Sequence, residues 1–203
     1  KKIESLHISD LNLYNEIEKY TANNILIDIA NGHMKDLINV IKEYKKVFKT
    51  KNLMVGNIAN PLTFIELAKA GANYIRCSIG SGSACLTASN TAVHYPLASL
   101  ITDCYKIKQE TDNELIRNCN IIADGGIRSY KDIITALALG ADYVMLGSML
   151  NKCIESAGDN YWKGFKLSDK FAYNLWKRGY KIEKKYRGMS TKEVQKSWGH
   201  KKL

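Results

Sequence analysis

The feature that most narrows the fold is an alternation. Short apolar runs rich in β-branched residues exchange six times with segments of helical period. Residues 3–8 read as a strand and 11–20 as a helix. Residues 24–29 (NILIDI) are nearly continuously apolar, the pattern of a strand covered on both faces. A helix follows over 34–48, with Leu37, Ile38, Ile41 and Tyr44 spaced for one buried stripe. After a strand at 53–58, the next helix is fully punctuated: Asn60 as N-cap, Pro61 in the first turn, Gly71 past the end. A strand at 73–79 leads into a glycine loop, and a helix is expected over 97–108. The strand Asn120–Asp124 leads into Gly125-Gly126. Ser129-x-x-Asp132 is a capping box opening a helix that ends at Gly140, and a strand at 143–146 leads into Gly147-Ser148. Strand–helix alternation with tight loops implies a parallel sheet joined by crossover helices.

Such a sheet either stays open and doubly wound or closes into a barrel, and periodicity alone does not choose. The special residues do. Asp28, Asn57, residues 80–85, Asp124 and Gly147 all fall at carboxyl ends of strands, the face on which barrels carry their sites. An open sheet would gather them at one switch point. The expected fold is therefore α/β, a (β/α)8 TIM-type barrel. Six units do not close eight strands, so the first two βα units are expected to be missing from this chain. The whole of 1–203 is read as one partial catalytic domain, with a basic, aromatic-rich insertion at about 160–183.

Composition excludes several classes. Of 203 residues, 45% are hydrophobic and 25% charged, and no run of eighteen apolar residues suggests a membrane span. The first residues, Lys1-Lys2-Ile3-Glu4, carry no signal-peptide core. Five cysteines without a Cys-x-x-Cys pairing fit neither a disulfide framework nor a zinc site, so a reduced, cytoplasmic protein is expected. The net charge of +10 is uneven: residues 161–203 hold thirteen Lys/Arg and three Asp/Glu, and the rest is neutral. That segment suits a polyanion such as nucleic acid, although a solvated insertion is the favoured reading. Its aromatics, among them Trp162, Phe165, Phe171, Tyr173 and Trp176, are read as anchors docking the insertion.

Two places can carry chemistry. The loop Ile79-Gly80-Ser81-Gly82-Ser83-Ala84-Cys85-Leu86-Thr87 puts a thiol on a glycine-rich turn, where backbone N–H groups can favour a thiolate. Gly125-Gly126 and Gly147-Ser148 follow the last two strands, where barrels commonly bind phosphate through backbone N–H groups. Asp124 before the glycines would repel phosphate but suits a pair of ribose hydroxyls. Phosphate and ribose together point to a nucleotide.

These segments together resemble the IMP dehydrogenase/GMP reductase family, over about residues 3–198. The carrying stretches are Asp28-Ile29-Ala30-Asn31-Gly32-His33, Gly56-Asn57, the cysteine loop, Ala123-Asp124-Gly125-Gly126-Ile127, Val144-Met145-Leu146-Gly147-Ser148 and Tyr186-Arg187-Gly188-Met189-Ser190. The resemblance implies that Cys85 adds to purine carbon 2, with Thr87 assisting proton transfer. It implies that Asp124 binds the ribose, and that Gly125, Gly126, Gly147, Ser148, Tyr186 and Ser83 bind the phosphate side. Gly188, Met189 and Ser190 would face the base. Asp28, Ile29, Ala30, Asn57, Ile79 and Gly80 match the cofactor side, and carbonyls of Gly80, Gly82 and Cys85 match a potassium site. The implied cofactor is NADPH, with NAD as the alternative, the substrate a purine nucleoside monophosphate, and the assembly a homotetramer.

Between the two activities, Asp28 with its following turn, His94-Tyr95-Pro96 and Gly188-Met189-Ser190 resemble GMP reductase. Gly80-Ser81-Gly82-Ser83 and Tyr186-Arg187-Gly188 look more like IMP dehydrogenase. The reductase is favoured, converting GMP to IMP through a covalent Cys85 thioimidate. The alternatives are the dehydrogenase (IMP to XMP with NAD) and a catalytically silent nucleotide-binding relative. Ala88, after Thr87, departs from both patterns. His7, His94 and His200 are read as structural or surface residues, and His33, beside a cofactor-facing turn, carries a smaller claim to function. Cys77, Cys104, Cys119 and Cys153 are read as buried apolar groups.

Overall fold

A computed structural model describes residues 3–7, 22–29, 31–80 and 93–185 of the chain. A six-stranded parallel sheet is built from β1 (Ile3–His7), β2 (Asn24–Asp28), β3 (Asn52–Ile58), β4 (Tyr74–Cys77), β5 (Asn120–Asp124) and β6 (Tyr143–Met145). Spatial order equals sequence order throughout. A doubly wound sheet reverses direction at a switch point. Here there is no reversal, so successive crossovers of one hand stack the helices on one face, as in a barrel.

Those helices are α1 (Lys35–Val47), α2 (Pro61–Ala70), α3 (Leu97–Glu110), the short α4 (Glu114–Arg117) and α5 (Tyr130–Ala138). The expected punctuation is present. Asn60 accepts from the Leu62 N–H, Pro61 opens α2 and Gly71 closes it. Ser129 and Asp132 form a reciprocal capping box on α5. α4, which the sequence reading omits, starts at Asn113, whose side chain accepts from the N–H groups of Leu115 and Ile116. The expected helix at 11–20 lies outside the described residues.

Alternation sorts each strand. Ile25, Ile27, Leu53, Val55, Ile75, Cys77, Ile121 and Ala123 point toward the helices and are essentially inaccessible. They meet Leu37, Ile41 and Tyr44 of α1, Phe64 and Leu67 of α2, and Leu100, Ile101 and Cys104 of α3 in one core. The other face carries Asn24, Met54, Tyr74, Ile122 and Tyr143 around a cavity of about 420 Å³ toward the amino ends. Those ends are stapled by polar side chains. The Asn73 side-chain oxygen accepts from the Leu53 N–H (2.9 Å) and from Lys45 Nζ (2.6 Å). Asp142 accepts from the Ile121 N–H and from Lys108 Nζ, both at 2.7 Å.

A second sheet follows: β7 (Asn160–Trp162), β8 (Phe165–Leu167) and β9 (Glu183–Lys184), antiparallel in the order β8-β7-β9, with α6 (Asp169–Lys177) between the last two. Two expectations hold only in part here. Trp162 is half-buried with its ring edge-on to Tyr180, but α6 buries Ala172 and Leu175, while Phe165, Phe171, Tyr173 and Trp176 remain exposed. Cys153 is exposed, because it sits in the turns after β6 rather than on a strand facing the helices, whereas Cys77, Cys104 and Cys119 are buried as expected.

The core holds an uncompensated group. The Tyr44 hydroxyl is buried with no hydrogen-bond partner among the described residues, and burial raises its pKa to about 12. Leaving such a group unsatisfied costs on the order of 1–3 kcal/mol. Tyr44→Phe is therefore expected to leave unfolding stability unchanged or raised, as read from the midpoint of chemical denaturation; a clear loss would mean that the hydroxyl does have a partner.

Candidate active site

Parallel pairing brings the carboxyl ends of β2, β3, β4 and β5 to one rim. Asp28, Gly56 and Arg76 stand opposite one another in register, and Asp124 ends β5. Arg76 ties them together. Its Nη1 donates to Asp28 Oδ1 at 2.6 Å, while Nη2 and Nε donate to Asp124 Oδ2 at 2.8 and 3.2 Å. Asn57 Nδ2 adds a bond to the same Asp124 oxygen at 2.7 Å. The three side chains of the ion-pair cluster keep only 12% (Arg76), 24% (Asp28) and 17% (Asp124) of their accessibility. Burial alone would lower the Arg76 pKa, but the two carboxylates outweigh it and hold the guanidinium charged.

Gly56 makes the span across β3 possible. A Cβ there would come within 2.7 Å of both Arg76 Cβ and the Arg76 carbonyl oxygen, and its φ of +141° suits glycine alone. Arg76→Ala removes the cation between two partly buried carboxylates, a loss of about 3–5 kcal/mol. Gly56→Ala is expected to destabilise by displacing Arg76, and Arg76→Lys to recover only part of the loss, since an ammonium cannot fork to both carboxylates. Urea unfolding measures all three. A stable Arg76→Ala protein would show that the cluster is not what fixes the rim.

The residues expected on the phosphate side follow from the same strand ends. Gly125 and Gly126 take φ of +91° and +76°, turning the chain sharply after Asp124. Beyond β6, the N–H groups of Leu150 and Asn151 both donate to the Gly147 carbonyl, so Ser148 and Met149 lie within a hydrogen-bonded turn. Ser148 Oγ donates to the Ile127 carbonyl at 3.4 Å, joining the two loops. A Cβ at Gly147 would meet nothing within 4 Å, so this turn faces open space.

At the residues expected on the cofactor side, β2 and β3 are bonded past their ends. The Ile29 N–H donates to the Gly56 carbonyl (2.8 Å), and the Asn57 N–H to the Ile29 carbonyl (2.6 Å). Ile79 is buried, and Gly80 turns with φ of +88°. The structure thus gathers Asp28, Ile29, Asn57 and Asp124 on one rim, with Gly125, Gly126, Gly147 and Ser148 beyond the last two strands. Ala30, Gly82, Ser83, Cys85, Thr87, Tyr186, Gly188, Met189 and Ser190 lie outside the described residues. Sequence reasoning missed Arg76. Its partners lie 48 residues away on either side, so nothing local in the strand at 73–79 pointed to them.

His33 proves to be a strut. Its Nε2 accepts from the Ala59 N–H at 3.0 Å, so Nδ1 must carry the proton and donate to Thr63 Oγ1 at 2.7 Å. Burial lowers its pKa, with Glu66 opposing weakly. Because the folded pKa lies below the unfolded value of about 6.5, this contribution is complete above that pH and fades as pH falls through it. The stability advantage of the native protein over His33→Gln is expected to shrink between pH 7.5 and pH 5. Thermal midpoints with equal gaps at both pH values would contradict the neutral, bridging imidazole.

With this geometry in place, comparison with known proteins decides the family. The model for the IMP dehydrogenase / GMP reductase domain matches residues 9–202. The chain belongs to that family. It is 38% identical over 137 residues to the inosine-5'-monophosphate dehydrogenase of Nitrosopumilus maritimus, covering 68% of this chain and 28% of that protein. The GMP reductase of Phytophthora infestans is 34% identical over 147 residues, covering 72% of this chain and 39% of that protein. The crystal structure of a cysteine-to-alanine variant of GMP reductase from Trypanosoma brucei superposes with a TM-score of 0.69 at 29% identity, over 80% of this chain and 36% of that one. The six units are thus part of a TIM-type barrel, and the chain spans well under half the length of these relatives. No helix among the described residues is long and apolar enough to cross a membrane.

Proposed function

We propose that this chain carries the substrate side of a purine nucleotide oxidoreductase, and that its reaction is the NADPH-dependent reductive deamination of GMP to IMP. The observation that carries the reading is the Asp124 carboxylate. It is fixed by Arg76 and Asn57 immediately before the Gly125-Gly126 turn. A held carboxylate accepts hydrogen bonds from a vicinal diol, and backbone N–H groups at the neighbouring turns suit a phosphate. A nucleoside monophosphate presents both.

Each residue then has a task. Cys85, as thiolate, attacks carbon 2 of the purine. The 2-amino group departs as ammonia after protonation, with Thr87 beside it assisting the proton's transfer, and leaves a thioimidate on Cys85. NADPH, when bound, supplies the hydride that reduces carbon 2. Departure of the thiolate then releases IMP, so GMP, NADPH and two protons give IMP, NADP+ and ammonium. Asp28 fits the cofactor side, since Arg76 holds one of its oxygens while the carboxylate stays partly exposed to receive a hydroxyl. Carbonyls of Gly80, Gly82 and Cys85 would hold potassium, whose demand for several oxygen ligands such a loop can meet.

Relatives of both names match at similar identity, which keeps the dehydrogenase as the second reading. Absorbance at the nicotinamide band separates them. With GMP and NADPH the signal is expected to fall, and Cys85→Ala is expected to abolish the change. A rise with IMP and NAD instead would assign the dehydrogenase. Nucleotide binding without turnover in either mixture would favour a silent relative.

A further inference from the structure

The surface formed by residues 150–185 takes no part in this chemistry, yet its composition is specialised. Residues 161–185 hold eight Lys/Arg against two Asp/Glu. Phe165 (73%), Trp176 (56%), Phe171 (53%), Tyr180 (48%) and Tyr173 (39%) are all substantially exposed. Rings that neither build a core nor anchor α6 need another explanation, because exposed aromatic surface mixed with one sign of charge marks an interaction site.

Three of these rings border a cleft of about 710 Å³. Lys152 and Lys181 line it with Tyr173, Trp176 and Tyr180, against a single carboxylate, Glu155. Tyr173 and Trp176 lie with centroids 5.8 Å apart and planes 30° from parallel, stacked on each other at the cleft. Lys177 Nζ lies 4.8 Å from the Tyr173 ring and Lys163 Nζ 4.9 Å from the Trp162 ring, so cations already sit beside the aromatic faces. The floor is rigid. Asn160, 1% exposed, donates through Nδ2 to Asp169 (2.8 Å) and to the Ile154 carbonyl (3.3 Å), tying β7 to α6 and to the preceding turns.

Shape and charge select the occupant. A bilayer requires apolar side chains that protrude together, and here three of the five exposed rings line a concavity instead. A single phosphate needs one or two cations, and the excess of positive charge extends well beyond the cleft, over Lys170, Lys177 and Arg178. Bases stacked on aromatic rings with phosphates tracked by lysines are how unpaired strands are held. We propose that this cleft and the cations around it bind single-stranded nucleic acid. One or two bases lodge against Tyr173, Trp176 and Tyr180, and the phosphates run over Lys152, Lys181 and Lys177.

The test is fluorescence anisotropy of a labelled oligouridylate of about twelve nucleotides, titrated with the full chain at several salt concentrations. Binding is expected to weaken steeply with salt. Trp176→Ala is expected to cost roughly tenfold in affinity, as for loss of one stacked base. Since α6 docks through Ala172 and Leu175, this variant keeps its thermal midpoint, and Lys181→Ala with Lys177→Ala gives a second, milder change that flattens the salt dependence. Cys85→Ala leaves binding unchanged. Equal affinity for a duplex of the same length, or for heparin, with no effect of Trp176→Ala, would reduce the surface to a nonspecific cation patch and overturn the proposal. So would binding to phosphatidylserine vesicles without binding to the oligonucleotide.

Discussion

Everything at the carboxyl rim depends on one cation held between two carboxylates. Arg76 reaches Asp28 on one side and Asp124 on the other, and Asn57 completes the grip on Asp124. Each carboxylate alone, at the mouth of a largely apolar sheet, would be poorly solvated and free to rotate. With the guanidinium between them their repulsion is cancelled and their orientations are fixed. The positioning of groups that would read a ribose and a cofactor is thus inseparable from the stability of the sheet that carries them.

That arrangement rests in turn on register. Asp28, Gly56 and Arg76 align only because β2, β3 and β4 pair in parallel with no strand interposed. A slip of one residue would turn Arg76 into the helix-facing core and Ile75 toward the rim. Two features oppose such a slip: the helix-facing residues, which leave no room for a charge, and the amino-end staples made by Asn73 and Asp142. The polar work is divided by end, with bonds that fix the register at the amino side and groups available for a ligand at the carboxyl side.

Much of this was legible in the sequence, and what escaped has definite causes. The caps at Asn60 and Ser129 were readable because their partners lie two or three residues away. Asp28, Asn57 and Asp124 could be singled out because each ends a strand. Their union could not, since Arg76 binds partners 48 residues distant in both directions, and a lone arginine in NYIRC looks like an ordinary outward strand residue. The insertion misled for a different reason. Aromatic content argues for burial on average, but helix geometry decides which positions face the sheet, and in α6 those positions fell to Ala172 and Leu175. His33 was drawn toward function by its neighbours, when the two hydrogen-bonding atoms within its reach were structural.

The loops after β2 and β3 are joined by more than His33. The Gly32 N–H also donates to the Asn57 carbonyl at 2.9 Å, alongside the two bonds between Ile29 and the Gly56–Asn57 segment. These two loops therefore behave as a single plate. A substitution as remote as Thr63, which accepts from His33, would therefore act on the loop that follows Asp28.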